Sequence, residues 1–290
     1  TCALPISSKK QKPLRFADDD AARIAELWLE LGAEVELLTV FDQASQARFP
    51  KLVKRAEQPT KAELDAAWAR LQTKMEAAAD AGQEVELLIY YAGHGIEGQG
   101  KNWLIPTDAK RGTDRDLAFE AIDLDLVMQT IGGAKMRVAI LDACRNNPFG
   151  QNWRGGTRAV SRGLAGIEVD NVLVIFAAAP GQTAADGDSG NSPFAASLAR
   201  RLPEPGLPIQ LLGGVVRDDV LAATGGAQRP FISASVTGTA YYLVPAGQAA
   251  MPAPPQQAAN LVTVQGSANA NAGAPAIVQR SPESSAPALN

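Results

Sequence analysis

Three apolar runs constrain the fold of this chain more than any other feature of its sequence. They span residues 85–91, 136–141 and 172–177, and each has the length and composition of a buried strand. Strands that are apolar on both faces are typical of parallel sheets with helices on both sides. We therefore predict an α/β fold with these runs at the centre of a mostly parallel sheet.

Segments with helical periodicity separate the predicted strands. The acidic residues 18–20 open one predicted helix, which ends near Gly32. A capping box at Thr60 and Glu63 opens a second helix that extends to about residue 79. A further strand is predicted over 34–40, and further helices over 122–131, 194–202 and 209–223. In sheets of this kind, ligands bind beyond the carboxyl ends of the strands.

Composition excludes several classes of function. The chain has 290 residues, of which 46% are hydrophobic and 20% charged, as in ordinary globular proteins. Its net charge of −4 and lack of basic blocks argue against a nucleic-acid partner. No apolar run approaches the ~18 residues of a membrane span, so we predict no membrane partner. Two cysteines and one histidine provide neither a disulfide framework nor a histidine-rich metal site.

The only histidine, His94, and the only cysteine beyond the first two residues, Cys144, each follow a central predicted strand. A neighbouring imidazole can activate a thiol, which is mostly protonated at neutral pH. Each residue alone has a simpler interpretation, because free cysteines are commonly core residues and a loop histidine can simply be hydrogen-bonded. Their joint position at strand ends favours a nucleophile–base pair. Gly93 and Gly95 flank His94 and would let a substrate approach the backbone closely.

The sequence around both residues resembles the caspase-like cysteine peptidases, and among them the bacterial metacaspase-like (orthocaspase) branch. Three motifs carry the resemblance: Tyr-Tyr-Ala-Gly-His-Gly at 90–95, Asp-Ala-Cys-Arg-Asn-Asn-Pro-Phe at 142–149, and Ala-Pro-Gly-Gln-Thr-Ala-Ala-Asp-Gly at 179–187. The resemblance spans roughly residues 14–243. It implies a caspase-like α/β/α sandwich with a mostly parallel central sheet.

The resemblance also implies a cysteine endopeptidase that acts on a protein or peptide substrate. Cys144 would be the nucleophile, and His94 the general base and acid. The main-chain N–H groups of Gly95 and Cys144 would form the oxyanion hole. Fixed donors of this kind contribute about 3 kcal/mol each in known enzymes.

Two aspartates in these motifs predict the substrate preference. Asp186 falls where aspartate-specific caspases carry an arginine, and Asp142 matches an acidic position of metacaspases. Two carboxylates in one pocket favour arginine or lysine and repel acidic residues, so we predict cleavage after basic residues. In simpler interpretations, Asp186 belongs to an Asp-Gly turn and Asp142 caps a strand end.

The sequence departs from the family pattern at both ends and beside the nucleophile. Metacaspases carry His-Ser-Gly where this chain has residues 145–147, which leaves the shape of the adjoining pocket open. Nothing before Leu14 resembles the strand with which the family begins. We therefore predict a non-native or disordered segment over 1–13, a domain over 14–244 that lacks its first strand, and a disordered linker over 245–290. The linker could lead to a further domain.

Residues 150–166 contain Arg154, Arg158 and Arg162 among glycines, where caspases separate their large and small parts. An enzyme that prefers basic residues could cut itself there. A solvated surface loop is the simpler alternative.

No cofactor is predicted, although some relatives require calcium. The acidic residues Asp114, Asp116, Asp123 and Asp125 do not follow an EF-hand spacing and are typical of a helix start and a solvated face. A free nucleophilic thiol suits the reducing cytoplasm, which is the predicted location.

Two other functions stay open. The domain could be a catalytically silent caspase-like adaptor, or a thiol enzyme that transfers acyl groups with the same dyad. Degenerate relatives lose the histidine or the cysteine. This chain keeps both, which favours the peptidase.

Overall fold

A computed structural model describes residues 2–3, 14–98, 101–110, 116–130, 134–144, 171–179, 182, 184–187 and 190–247. These residues all belong to one compact unit, Thr1–Gln256. Its strands are β1 (Cys2–Ala3), β2 (Leu37–Leu38), β3 (Ala56–Glu57), β4 (Val85–Gly98), β5 (Lys101–Leu104), β6 (Ile122–Asp123), β7 (Ala134–Cys144), β8 (Val172–Phe176) and β9 (Phe231–Ser235). Its helices are α1 (Ala17–Glu30), α2 (Gln43–Arg48), α3 (Pro50–Val53), α4 (Lys61–Asp80), α5 (Leu117–Glu120), α6 (Leu124–Thr130), α7 (Pro193–Arg201) and α8 (Ile209–Ala223).

The main sheet has the strand order β3-β2-β1-β4-β7-β8-β9. Neighbouring strands in this row are parallel, except that β9 runs antiparallel to β8. The three apolar runs of the sequence form β4, β7 and β8, side by side at the centre. This mixed, mostly parallel sheet confirms the predicted fold class.

Two apolar clusters cover the two faces of the sheet. One cluster joins α1, α7 and α8 to residues such as Tyr90 and Ile140. The other joins α4 and α6 to residues such as Ile89 and Leu141. Because successive side chains of a strand point to opposite faces, each central strand contributes to both clusters. The result is an α/β/α sandwich whose core is divided by the sheet.

The first strand corrects one expectation. The sequence predicted that the domain lacks it, but the backbone of Cys2 and Ala3 pairs in parallel with Leu38 on one side and with Tyr91 and Ala92 on the other. A two-residue strand is held by backbone pairing and leaves no periodic pattern in the sequence. Residues 4–13 lie outside the described residues, so the interpretation of segment 1–13 as non-native or disordered stays a prediction.

Between Val85 and Tyr90, β4 pairs with β7, and no described strand pairs with its other edge. A cavity of about 610 Å³ lies beside this part of β4, lined by Trp28 and Leu31 from the end of α1 and by Met75 from α4.

Two further elements begin or end at other residues than the sequence predicts. The predicted strand over 34–40 narrows to β2, and the predicted helix over 122–131 begins as the short strand β6. Strand β9 was not predicted, because its residues are polar or partly exposed and lack a continuous apolar run. Among the described helices, none is long and apolar enough to cross a membrane.

We predict that the sheet centre limits stability. Ile140 is fully buried in β7, so Ile140→Ala should lower the free energy of unfolding by about 2–5 kcal/mol. Leu126 is 52% exposed, so Leu126→Ala should change it by less than about 0.5 kcal/mol. Urea denaturation of both variants measures these changes. Equal losses of unfolding free energy would contradict the placement of Ile140 in the core and of Leu126 at the surface.

Candidate active site

The backbone pairing of β4 and β7 brings the two predicted dyad residues together. These parallel strands stay in register from Glu86 and Met136 to their last pair, His94 with Cys144. Adjacent strands are ~4.8 Å apart, so the two residues are direct neighbours across the ladder. Both lie at the carboxyl ends of central strands, where the sequence predicted a site.

His94 is buried and has an unusual environment. Its side chain makes no hydrogen bond through Nε2 to any described residue, although that atom is shielded from solvent. Burial lowers the pKa of His94 to about 4, so the imidazole is neutral at pH 7. A neutral imidazole with an unoccupied ring nitrogen can accept a proton from a nearby acid such as a thiol.

A buried tyrosine holds the backbone of His94. The Tyr91 hydroxyl donates a hydrogen bond to the His94 carbonyl oxygen at 2.6 Å and accepts one from the Ile105 N–H at 3.1 Å. Gly93 lies against this hydroxyl, because a Cβ at position 93 would be 2.7 Å from it. Glycine at 93 therefore allows the tyrosine to reach the carbonyl and fixes the path of the strand.

Gly95 lies where β4 passes from the main sheet into a hairpin. It is the register partner of Leu104 in β5, and a Cβ added to it would lie 3.4 Å from Ala143 Cβ. Its backbone is therefore close to the residue before Cys144. This position is compatible with the predicted oxyanion role of the two N–H groups, and that role stays a prediction.

Both predicted specificity residues, Asp142 and Asp186, line one pocket, which we call the acidic pocket. It is a small cavity of about 30 Å³ that opens to solvent, and Gly93 forms part of its wall. Its polar lining consists of Asp20, Asp142, Asp186 and Ser192. The structure thus brings the two predicted aspartates together beside the strand that carries His94.

The acidic pocket holds two deeply buried carboxylates. Asp20, on the first turns of α1, and Asp142, on β7, are 3% and 8% exposed. Burial raises the pKa of Asp142 to about 6, although hydrogen bonds from Ser192 and Tyr90 act in the opposite direction. Burial also raises the pKa of Asp20 well above its usual range, and the charge of Asp142 raises it further. Two carboxyl groups in one dry site resist simultaneous ionisation, and a cation between them would favour the ionised form of both.

Asp186 is engaged by a residue from the other end of the domain. Its Oδ2 accepts a hydrogen bond from the Arg15 backbone N–H at 2.9 Å and lies 3.7 Å from Arg15 Nε. Arg15 Nη2 donates to the Gly187 carbonyl oxygen at 2.7 Å. The positive φ of Gly187, +80°, also fits the simpler interpretation of an Asp-Gly turn. Asp186 therefore faces the pocket while it anchors the start of α1.

Three residues of this site have no signal in the sequence that points to a pocket. Asp20 was assigned to the acidic start of a helix, and its burial against β7 has no local signal. Ser192 occurs directly before an apolar helix, which indicates an N-cap but not a pocket residue. Arg15 contacts a residue 171 positions away, which no sequence pattern reveals.

Several predicted features fall outside the described residues. They include Arg154, Arg158 and Arg162 of the proposed self-processing segment, Asp114 and the residues that follow Cys144. Asp123 forms an ion pair with Lys101, and Asp125 accepts hydrogen bonds from Asn102. In the part of the chain that the structure describes, no group of three or more histidine, cysteine or acidic residues could hold a metal ion.

Comparison with known proteins assigns the family. The family model described as the caspase domain (peptidase C14) matches residues 3–241. The chain belongs to the caspase domain family. Its members are cysteine peptidases, which act on proteins.

The caspase domain is also supported by a solved structure. The crystal structure of caspase-1 from Spodoptera frugiperda superposes with a TM-score of 0.52 at 16% sequence identity, covering 84% of this chain and 87% of that one. At this identity the match shows a shared fold. A search of curated protein sequences finds no match.

We predict that the acidic pocket destabilises the folded caspase domain at neutral pH. The folded pKa of Asp142, about 6, exceeds its unfolded value near 3.8, so stability falls as pH rises from about 4 to 6. Asp142→Asn removes this ionisation and should raise the free energy of unfolding by about 1–3 kcal/mol at pH 7.5. The gain should shrink towards pH 4, where Asp142 is protonated in both states.

Urea denaturation of parent and variant at pH 7.5 and pH 4.5 measures this gain. His94 changes stability in the opposite direction as pH falls, but it is common to both proteins and cancels from the difference. Asp65→Asn is the matched control, because Asp65 is an exposed partner of Lys61 and its loss should change stability little. A variant less stable than its parent at pH 7.5 would contradict the prediction.

Proposed function

We propose that this protein is a cysteine endopeptidase that uses a Cys144–His94 dyad and cleaves after arginine or lysine. The observation that carries the proposal is the register pairing of His94 with Cys144 at the carboxyl ends of β4 and β7. Membership of a family of cysteine peptidases supports the chemistry. The acidic pocket beside β4 supports the preference for basic residues.

In the proposed reaction, the Cys144 sulfur attacks the scissile carbonyl carbon as its thiol proton passes to the neutral His94 imidazole. The N–H groups of Gly95 and Cys144 stabilise the oxyanion. His94 then returns the proton to the leaving amine as the C–N bond breaks, which leaves a thioester on Cys144. Water, deprotonated by His94, attacks the thioester and releases the carboxylic acid and the free thiol.

The preference for basic residues follows from charge burial. Asp20 and Asp142 lose most of their hydration in the pocket, so a guanidinium or ammonium group between them relieves their repulsion. Arginine offers paired donors for two carboxylates. An acidic side chain would instead bring a further carboxyl group into a pocket that already holds three. In this proposal Asp186 contributes charge at the pocket while it holds Arg15.

The acidic pocket also supports the assignment to the bacterial metacaspase-like branch. Aspartate-specific caspases would need an arginine where this chain has Asp186. The proposed enzyme acts in the cytoplasm on protein or peptide substrates and needs no cofactor.

Fluorogenic peptides that end in Arg, Lys or Asp test the proposal in the presence and absence of calcium. We expect cleavage of the Arg and Lys peptides, and loss of at least about 10³-fold activity in Cys144→Ala and His94→Ala. Asp142→Asn should lower kcat/KM for the Arg peptide about tenfold or more, through the loss of a charge-assisted contact. Cleavage of the Asp peptide would overturn the specificity.

Labelling of Cys144 by a thiol-directed electrophile distinguishes the peptidase from the two alternatives, the silent adaptor and the acyl-transferring enzyme. A folded protein that neither cleaves any peptide nor reacts at Cys144 would be the silent adaptor. A protein that reacts and turns over esters or amines, but no peptide, would be an acyl-transferring enzyme. Circular dichroism of each variant verifies that loss of activity is not loss of folding.

We also propose that the enzyme processes itself within residues 150–166. Its preference for basic residues makes Arg154, Arg158 and Arg162 candidate cleavage sites. Mass spectrometry of the incubated wild-type protein should detect cuts after one or more of these arginines, and Cys144→Ala should remain intact. The absence of any cut that depends on Cys144 would remove self-processing from the proposal.

A further inference from the structure

Among the described residues of the acidic pocket, Ser192 is the one that donates hydrogen bonds to both buried carboxyl groups. Its hydroxyl donates a hydrogen bond to Asp142 Oδ2. Its backbone N–H donates to both oxygens of Asp20, at 3.1 and 3.3 Å. Asp142 belongs to β7 and Asp20 to α1, so this single residue links groups from two elements that are far apart in the chain.

The hydroxyl of Ser192 has a fixed orientation. It is 3% exposed and forms the N-cap of α7, where its oxygen accepts a hydrogen bond from the Ala195 N–H at 2.9 Å. A serine hydroxyl has one proton to donate. Because the hydroxyl oxygen accepts a hydrogen bond from the first turn of α7, its proton is left to be donated to Asp142.

The two carboxylates depend on Ser192 to different degrees. Asp20 also accepts a hydrogen bond from Asn191 Nδ2 at 2.7 Å. Asp142 has, besides Ser192, only a longer contact from the Tyr90 hydroxyl, at 3.4 Å, among the described residues. Loss of the Ser192 hydroxyl would therefore affect Asp142 more than Asp20.

We propose that Ser192 is a positioning residue that holds Asp142 ionised beside Asp20 and thereby sets the charge selectivity of the acidic pocket. This inference rests on the proposed function, since it assumes that the pocket binds a basic side chain. A hydrogen bond to the charged form of a carboxyl group favours that form. Without it, burial would keep Asp142 protonated, and the pocket would lose a charge that a guanidinium needs.

Other charged groups around Asp142 cannot replace this hydrogen bond. The charge of Asp186, on the loop before α7, disfavours its ionisation, and Asp20 on α1 is acidic and supplies no positive charge. Tyr90 on β4 is neutral at pH 7. Arg15 is engaged with Asp186 and Gly187. Ser192 is thus the closest donor that favours the ionised form.

The test measures binding of benzamidine and of its neutral isostere benzamide to the full chain carrying Cys144→Ala, by calorimetry at pH 7.5. Ser192→Gly removes the hydroxyl but keeps the N–H that contacts Asp20, and glycine is itself an acceptable N-cap. We expect Ser192→Gly to weaken benzamidine binding about tenfold and to leave benzamide binding unchanged. Ser192→Thr, which keeps a hydroxyl, should stay within about twofold of its parent.

A double-mutant cycle shows whether Ser192 acts through Asp142. In an Asp142→Asn background, Ser192→Gly should change benzamidine affinity by less than about twofold. Thr60→Gly is the matched control, because it removes the cap of α4, away from the pocket, and should leave both affinities unchanged. The inference would be overturned if Ser192→Gly still weakened benzamidine binding tenfold in the Asp142→Asn background. It would also be overturned if Ser192→Gly weakened the binding of benzamidine and benzamide equally.

The carboxyl titration of Asp142, followed by NMR, separates failure of this inference from failure of the proposed function. Ser192→Gly should raise its midpoint by about one pH unit or more, whether or not the pocket binds a ligand. If the midpoint rises but benzamidine binds no better than benzamide in the parent, the proposed specificity fails. An unchanged midpoint would reject the role of Ser192.

Discussion

The parallel ladder between β4 and β7 is the interaction on which the rest of this structure depends. It joins two of the three long apolar runs of the chain, and both faces of the pair are covered by helices. Hydrophobic burial on both sides fixes the register, because a slip by one residue would exchange the two sets of side chains. The same register makes His94 and Cys144 neighbours. The positions of the two predicted dyad residues therefore follow from the packing of the core.

The residues of the acidic pocket, in contrast, come from several separate elements. The sheet contributes Asp142, but Asp20, Ser192 and Asp186 come from a helix start, a helix cap and a loop. Contacts between distant segments hold them together, and each contact involves a buried or partly buried charge. Such an arrangement costs stability in the absence of a ligand. A cation in the pocket would offset this cost, as the proposed recognition of a basic side chain requires.

The sequence predicted the central part of the fold because long apolar runs have few alternatives to a buried strand. It predicted His94 and Cys144 because each follows such a run. It could not predict β1, a two-residue strand held by backbone pairing, or β9, a short strand that contains two serines and has no buried residue. Asp20 and Ser192 have strong local interpretations as helix-start residues. Their role in the pocket depends on the packing of α1 and α7 beside β7, and no local sequence pattern reveals that tertiary contact.

The passage of β4 from the main sheet into the hairpin with β5 has one more consequence. His94 is the last residue of β4 to pair with β7, and its carbonyl is also held by Tyr91 and Ile105. The predicted dyad residues are therefore held by the central ladder, whereas the acidic pocket also depends on the partly exposed loop that carries Asp186, and such loops open more readily than core strands. In the proposed enzyme, mild denaturant should therefore abolish the discrimination between substrates before it abolishes the reactivity of the thiol.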